Sequence, residues 1–264
     1  MLKKRITTAA IILPLAIAGI WYLPPPAFKW ILGLIFIIVA HEWTQLIGLK
    51  RPLIRVLATV ALMLSSLFFE KLSLLSLSNI GLGFWLVAFI GLIGYPANKK
   101  FLSEPLVGGI VAAFTLIPAW LALSAIQAQG PEKVLYLLAW VCLADTGAYF
   151  AGKRFGRHLL AAQLSPGKTW EGLAGALLAV FLINSIFAWG FGIGKNFWSL
   201  QLMGCITVLI SIIGDLWESL FKRNQRLKDS GRILPGHGGL ADRLDSLMAA
   251  SPMLLFGLLH GFSF

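Results

Sequence analysis

The sequence predicts an all-α polytopic membrane protein of about nine transmembrane helices, and three observations support this fold class. The chain has 264 residues, of which 58% are hydrophobic and only 12% are charged. Soluble domains carry about 25% charged residues. The mean hydropathy of the chain is +0.83. The apolar residues also form long runs, and each run is long enough as a helix to cross a hydrocarbon core of roughly 30 Å. A polytopic membrane protein explains all three observations.

The first apolar run follows Lys3-Lys4-Arg5 and ends at Pro24-Pro25-Pro26, for which a tight, non-helical turn is predicted. Ala16-Ile17-Ala18 within this run resembles a signal-peptide cleavage site, so a cleaved signal is the alternative. An uncleaved helix is favoured because the run continues to Leu23 and further runs follow. The nine predicted spans cover about residues 6–23, 27–49, 52–69, 74–95, 106–126, 134–151, 170–190, 198–221 and 240–262.

The basic residues are distributed unequally between the two sides that these spans define. The N-terminal tail and the loops on its side hold 18 of the 22 Lys and Arg residues. The other side holds only Lys29, Lys71, Lys133 and Lys195. Because basic loops remain in the cytoplasm, the N-terminus is predicted inside and the C-terminus outside. The net charge of +11 then reflects loops that face anionic lipids and anionic substrates, and no nucleic-acid partner is expected.

The longest polar connection, residues 219–245, lies between the last two spans and follows an intramembrane acid, Asp215. Acids inside apolar helices are costly, and they indicate function by default. Carboxylates suit a hard divalent cation, while neighbouring basic residues and glycines suit phosphate. This combination indicates metal-assisted phosphate chemistry at a membrane surface. The alternative is a basic loop that acts only as a topology signal.

The helical period places the polar residues of the last two spans on shared faces. The eighth span carries a stripe at positions i, i+3, i+4 and i+7: Asp215, Glu218, Ser219 and Lys222. Asp242 and Asp245 share a face of the ninth span. Helix capping alone would explain Asp242, which lies in a first turn. Asp215 lies near the opposite kind of helix end, where only a cation would offset the macrodipole.

A second polar cluster surrounds the connection between the sixth and seventh spans. Asp145 and Tyr149 share a helix face there. Gly167-Lys168-Thr169 resembles the end of a P-loop, but Ala162 stands where the first glycine is needed and no strand is predicted. A helix N-terminus beside Lys168 would bind phosphate. Capping of the seventh helix by Ser165 or Thr169 is the alternative.

His41 and Glu42 lie near the end of the second span. We expect them to form an interhelical hydrogen bond or a snorkelling pair. A catalytic role is the less favoured alternative, because nothing nearby in the sequence completes a site.

The stretch after the eighth span resembles the signature of the phosphatidate cytidylyltransferases, also called CDP-diacylglycerol synthases. The matching residues are Ser219, Phe221, Lys222-Arg223, Lys228-Asp229, Gly231, Leu234-Pro235, His237-Gly238-Gly239-Leu240 and Asp242-Arg243-Leu244-Asp245. The strings that begin at Asp145 and Ser165 are also similar to this family. The resemblance covers roughly the C-terminal half, whereas the N-terminal half is similar only in being a series of membrane helices.

This resemblance implies transfer of a cytidylyl group from CTP to phosphatidic acid within the bacterial cytoplasmic membrane, with the site on the cytoplasmic side. Residues 1–98 are then N-terminal helices and residues 99–264 carry the site, within one membrane domain. The expected partners are CTP, phosphatidic acid and membrane lipids, and the expected assembly is a homodimer. The expected cofactor is Mg²⁺, and the resemblance allows a second, monovalent cation such as K⁺.

Each candidate residue then receives a role. The metal ligands are Asp215 and Asp242, with Asp245 as a ligand or beside the ligands. The catalytic set comprises these three acids together with Lys222, Arg223 and Arg243. The set that binds substrate or nucleotide comprises Asp145, Lys168, Ser219, Lys228, His237, Gly238 and Gly239.

Two other functions remain as alternatives. A CDP-alcohol phosphotransferase would share the membrane, Mg²⁺ and a cytidine nucleotide, but its signature begins with an Asp-Gly pair that this chain lacks. An ion-coupled transporter would also contain intramembrane acids. Transporters usually show internal repeats and helices broken at the midplane, whereas the acids here cluster at one membrane edge.

Overall fold

The computed structural model describes residues 2–191, 196–234, 236 and 238–262. Within these residues the chain forms ten helices and one two-stranded sheet. In chain order the elements are α1 (Leu2–Tyr22), α2 (Pro25–Leu46), α3 (Pro52–Phe69), α4 (Leu74–Ile93), α5 (Lys99–Leu102), α6 (Pro105–Gln129), α7 (Pro131–Phe155), β1 (Leu159–Ala161), β2 (Ser165–Thr169), α8 (Trp170–Phe191), α9 (Phe197–Asn224) and α10 (Ala241–Leu259).

Seven of the described helices are long and apolar enough to cross a membrane: α2, α3, α4, α6, α7, α8 and α9. This confirms an all-α polytopic membrane protein. The long helices also begin and end within four residues of the predicted spans. The apolar part of α1 is a shorter segment, Ala10–Tyr22, and α10 carries three charged residues in its first two turns. The count of nine spans and the orientation of the termini therefore stay predictions.

Proline begins four of these helices, namely α2, α3, α6 and α7. The first helical position needs no N–H group and suits the fixed φ angle of proline, so these prolines initiate helices without breaking them. At the start of α4 the Ser73 hydroxyl instead accepts a hydrogen bond of 3.1 Å from the backbone N–H of Ser76, as an N-cap does. Local sequence thus explains where these helices begin.

The connection between α7 and α8 is a small antiparallel hairpin, where no strand is predicted from the sequence. That prediction was wrong, although Ala162 still excludes a P-loop. Strand β2 leads directly into α8, where the Thr169 hydroxyl accepts a hydrogen bond of 3.0 Å from the Gly172 N–H. Capping of this helix by Thr169, which the sequence offered as the alternative reading, is confirmed. The hairpin also fixes Lys168 beside the helix N-terminus.

Close helix packing brings the polar faces of α9 and α10 together. A Cβ atom added to Gly214 would lie 2.5 Å from the Asp245 carbonyl oxygen and 2.9 Å from the Ala249 Cβ. Only glycine permits this approach of the two backbones, as is common between membrane helices. The same argument applies to α7 and α8 at Gly147, where an added Cβ would lie 2.5 Å from the Gly175 carbonyl oxygen. Asp215, which follows Gly214, is therefore carried next to α10.

A labelling experiment tests which side of the membrane holds these loops. The background is a chain in which Ser replaces Cys142 and Cys205. Two variants of it each carry a single cysteine, one at Arg157 and one at Arg232, which are exposed in the two polar loops. An impermeant thiol reagent should reach them only after the inner face is opened, because 18 of the 22 basic residues predict a cytoplasmic location.

The matched control is Glu132→Cys, which is exposed in the first turn of α7 and is expected to react in intact cells. Labelling of either loop cysteine in intact cells would overturn the predicted orientation.

Candidate active site

Lys222, near the end of α9, is the cation of a buried ion-pair cluster. Its Nζ atom lies 2.7 Å from Asp242 Oδ1 on α10 and 3.3 Å from Glu218 Oε2 one turn earlier on α9. The side chains of Lys222, Glu218 and Asp242 are only 11%, 1% and 7% exposed. Buried charges are stable only when they are paired. The polar stripe predicted for this helix therefore faces the protein interior.

The Asp242 carboxylate also holds the loop that precedes α10. Its Oδ2 atom accepts hydrogen bonds from the Ser230 N–H (2.8 Å), the Ser230 hydroxyl (2.9 Å) and the Gly239 N–H (2.9 Å). Gly238 adopts a φ angle of +81°, and an added Cβ there would lie 2.9 Å from Asp242 Oδ2. Glycine is thus required by both conformation and space. The Gly239 N–H, predicted to face phosphate, donates here to Asp242.

Asp215 connects α9 to the hairpin. Its Oδ2 atom lies 2.6 Å from Lys168 Nζ, and its Oδ1 atom accepts a 3.4 Å hydrogen bond from the Ser219 hydroxyl. The Asp215 and Lys168 side chains are 28% and 25% exposed, so water-soluble substrates can reach this pair. Asp145 on α7 and Asp245 on α10 both interact electrostatically with Asp215. Three predicted site acids therefore converge from three helices.

A pocket of about 180 Å³ lies beside this pair, between α7, α8 and the hairpin. Asp145 and Tyr149 line one wall, and Lys168 and Thr169 line another. The remaining lining is mainly apolar side chains, with Leu173 among them. The pocket thus combines a cation, a carboxylate and apolar surface.

Three further predicted basic residues lie on α9, on α10 and in the loop between these helices. The Arg223 Nε atom donates a 3.0 Å hydrogen bond to the Leu164 carbonyl oxygen in the hairpin turn. Arg243 interacts electrostatically with Asp145. Lys228 is exposed in the loop before α10. His237 lies outside the described residues.

Glu42 belongs to this site, although it was not expected to. Its Oε2 atom accepts a 2.8 Å hydrogen bond from the Ala241 N–H and a 3.3 Å one from the Ser230 hydroxyl. The neighbouring His41 faces elsewhere and contacts the Thr59 hydroxyl at 3.3 Å. The expected interhelical hydrogen bond is thus confirmed for His41, whereas Glu42 contacts the loop before α10. Its acidity within an apolar helix was the signal that pointed to a function.

The predicted metal ligands fit Mg²⁺ in part. They are hard carboxylate oxygens, which Mg²⁺ prefers, and each already contacts a lysine ammonium group. Within the described part of the chain, Asp215 Oδ1 accepts only the long hydrogen bond from the Ser219 hydroxyl, which leaves it able to bind a cation. Both oxygens of Asp242 are occupied, and Oδ1 would bind a cation only if Lys222 moved. Among the described residues, no group of three or more His, Cys, Asp or Glu side chains is arranged to hold a metal ion.

Comparison with known proteins extends the likeness beyond the C-terminal half. Residues 3–260 match the sequence model of the cytidylyltransferase family. The chain is 34% identical to a protein of Haemophilus influenzae named phosphatidate cytidylyltransferase, over 97% of this chain and 98% of that protein. A Pseudomonas aeruginosa protein of the same name is 36% identical over 96% of this chain and 95% of its own length. The similarity therefore extends over the N-terminal helices as well.

Proposed function

Because the chain belongs to the cytidylyltransferase family, we propose that it transfers a cytidylyl group from CTP to phosphatidic acid. The products are CDP-diacylglycerol and pyrophosphate. The observation that carries this proposal is the convergence of Asp145, Asp215 and Lys168 at one end of a bundle of membrane helices. A lipid headgroup and a water-soluble nucleotide can both reach such a position.

The reaction needs positioning more than proton transfer. An oxygen of the phosphatidic acid phosphate attacks the α-phosphorus of CTP, and the bond between the α-phosphorus and the bridging oxygen breaks as pyrophosphate leaves. The attacking monoester is already ionised near neutral pH, because its second pKa is about 6. No dedicated general base is therefore required. The site must hold two polyanions together and stabilise the charge on the leaving group.

The basic side chains supply that stabilisation. Lys168 lies at the N-terminus of α8, where the helix dipole also favours an anion, and it is accessible beside the pocket. Lys222 and Arg243 approach the acids from α9 and α10. Triphosphate oxygens would compete with Asp215 for Lys168. The existing ion pair keeps that ammonium oriented until the nucleotide binds.

Mg²⁺ would be held by Asp215 and, after movement of Lys222, by Asp242, with Asp245 beside them. When bound, it would neutralise charge on the departing pyrophosphate. A monovalent cation such as K⁺ remains a further prediction.

The lipid would approach from the side of α7 and α8. Tyr149, Phe150 and Trp170 are large, exposed side chains on these helices, and Tyr149 also lines the pocket. Acyl chains would remain in the bilayer while the phosphate reaches Asp145 and Lys168. We further propose that the protein resides in the bacterial cytoplasmic membrane with this site facing the cytoplasm, as the basic loops predict. The homodimer stays a prediction.

An assay of the detergent-purified protein tests the proposed function. Pyrophosphate should be released from CTP only when phosphatidic acid is present, with CDP-diacylglycerol formed in equal amount. Equal activity with ATP would contradict the assignment. Release of CMP from CDP-diacylglycerol and an alcohol, without pyrophosphate formation, would indicate the CDP-alcohol phosphotransferase alternative.

Replacing Lys168 by Met should raise the KM for CTP about tenfold or more, because a charge-assisted hydrogen bond contributes about 1.5–3 kcal/mol. The matched control is Lys153→Met, an exposed lysine near the end of α7 whose Nζ atom lies 3.4 Å from the Tyr149 hydroxyl and 5.6 Å from the centre of the Tyr149 ring. Steady-state kinetics of both variants at fixed phosphatidic acid measures the difference. Equal KM values for the two variants would remove Lys168 from nucleotide binding.

A further inference from the structure

Glu42 is a buried acid that comes from the N-terminal region, far in the chain from every predicted site residue. It is only 3% exposed and lies in the last turns of α2. Its Oε2 atom accepts the Ala241 N–H at 2.8 Å, which is one of the N–H groups that a helix N-terminus leaves without an internal partner. Glu42 therefore supplies, from another helix, the cap that the start of α10 needs.

The Ser230 hydroxyl joins Glu42 to Asp242. It lies 3.3 Å from Glu42 Oε2 and 2.9 Å from Asp242 Oδ2, and it accepts a 3.3 Å hydrogen bond from the Asp242 N–H. A hydroxyl has one proton, so the two carboxylates share one donor. Ser230 is fully buried, and water cannot replace it easily. Displacement of Glu42 would therefore release a contact of Asp242 as well.

Two glycines of the loop pack directly on the Glu42 carboxylate. A Cβ atom added to Gly239 would lie 2.7 Å from Glu42 Oε2, and one added to Gly231 would collide with Glu42 Oε1. Neither glycine has a positive φ angle, so the requirement for glycine is one of space. The loop thus fits closely around this one side chain.

The chemistry of Glu42 is not that of a purely structural residue. Among the described residues its Oε1 atom accepts no hydrogen bond, and no lysine or arginine forms an ion pair with it. Buried carboxylates are normally paired or fully hydrogen-bonded, because a partly satisfied one lowers stability. A protein that needed only a stable helix contact would gain from a neutral side chain here.

We propose that Glu42 is a positioning residue of the active site. It holds Ser230 and the N-terminus of α10, and through them it fixes the orientation of the Asp242 carboxylate and of the glycine-bearing loop. This inference rests on the proposed cytidylyl transfer, for which Asp242 is a candidate metal ligand. Residues that orient metal ligands typically contribute about 10–100-fold to activity or metal affinity.

The test replaces Glu42 by Gln, which preserves size but removes the charge and one acceptor oxygen. We expect kcat to fall about 10–100-fold and the Mg²⁺ concentration for half-maximal activity to rise. Hydrogen–deuterium exchange should increase in residues 228–241 and remain unchanged in α6 and α8. The matched control is His41→Gln, because the neighbouring His41 side chain faces Thr59 instead. This variant should show near-normal kinetics and near-normal hydrogen–deuterium exchange.

The outcomes separate positioning from stability. A folded Glu42→Gln variant with normal kcat, normal Mg²⁺ dependence and normal exchange overturns the proposal, and so does reduced yield with normal activity per folded molecule. If Glu42→Gln does not fold, Ser230→Ala removes only the shared hydroxyl and must show the same loss of kcat and of loop protection. Absence of cytidylyl transfer in the unmodified protein would instead refute the proposed function. Increased exchange in Glu42→Gln would still support the positioning of the loop.

Discussion

Lys222→Met is expected to lower the free energy of unfolding by about 3–5 kcal/mol, because it breaks a buried ion pair from one side. The substitution leaves the Glu218 and Asp242 carboxylates, 1% and 7% exposed, without the cation that lies between them. Two uncompensated negative charges would then face each other in the protein interior. Turnover should also become undetectable, since the substitution removes a cation of the proposed catalytic set and the partner of Asp242 Oδ1.

The measurement is thermal and denaturant unfolding in detergent, with Lys29→Met as the matched control. Lys29 pairs with Glu70 at 2.8 Å, but these side chains are 35% and 33% exposed, so its loss should cost about 0–1 kcal/mol. Adding Glu218→Gln to Lys222→Met removes one of the two uncompensated buried charges and should restore part of the stability. Equal destabilisation by Lys222→Met and Lys29→Met would contradict the buried ion-pair cluster.

The membrane helices were predictable because a long apolar run by itself indicates a segment that is buried in the bilayer as a helix. The hairpin was not predictable, because the residues Ser165-Pro166-Gly167 have a low propensity to form a β-strand. Pairing with Leu159–Ala161 nevertheless forms β2. The pairing of two such short strands depends on how the ends of α7 and α8 are placed, and the sequence of the hairpin alone does not give that placement.

Residue types of the site were predictable, but their partners were not. The pairing of Lys168 with Asp215 joins a hairpin to a helix, and the Glu42–Ser230 contact joins positions 188 residues apart. The periodicity of a sequence reports which residues share a face, and it does not report what lies opposite them. Glu42 and its neighbours in the sequence therefore do not form a site by themselves.

The helix macrodipole does not explain the energetic cost of Asp215. Helix α9 continues to Asn224, so Asp215 lies more than two turns before its end, where the macrodipole has little effect. The cost of this acid comes from its apolar surroundings instead. In the structure its compensating cation is the Lys168 ammonium group, supplied by the hairpin.

Asp215→Asn is expected to reduce turnover at least about a hundredfold while it preserves the fold. Loss of about 3 kcal/mol of transition-state stabilisation corresponds to that factor. Asp215 is 28% exposed and accepts one long hydrogen bond besides its ion pair with Lys168. Its neutralisation therefore leaves no group buried and unpaired. Asp242→Asn should differ, because Asp242 also accepts three hydrogen bonds from Ser230 and Gly239 and stability would fall together with activity.

Turnover of the purified variants across a Mg²⁺ titration, with folding checked by thermal unfolding, distinguishes these expectations. The matched control is Glu104→Gln, an exposed acid before α6 that contacts none of the site residues described above and should retain full activity. Asp245→Asn should cost less than Asp215→Asn, about 10–100-fold, if Asp245 only orients the ligands. Near-normal turnover of folded Asp215→Asn at low Mg²⁺ would remove Asp215 from the metal site and leave its ion pair with Lys168 as a structural contact.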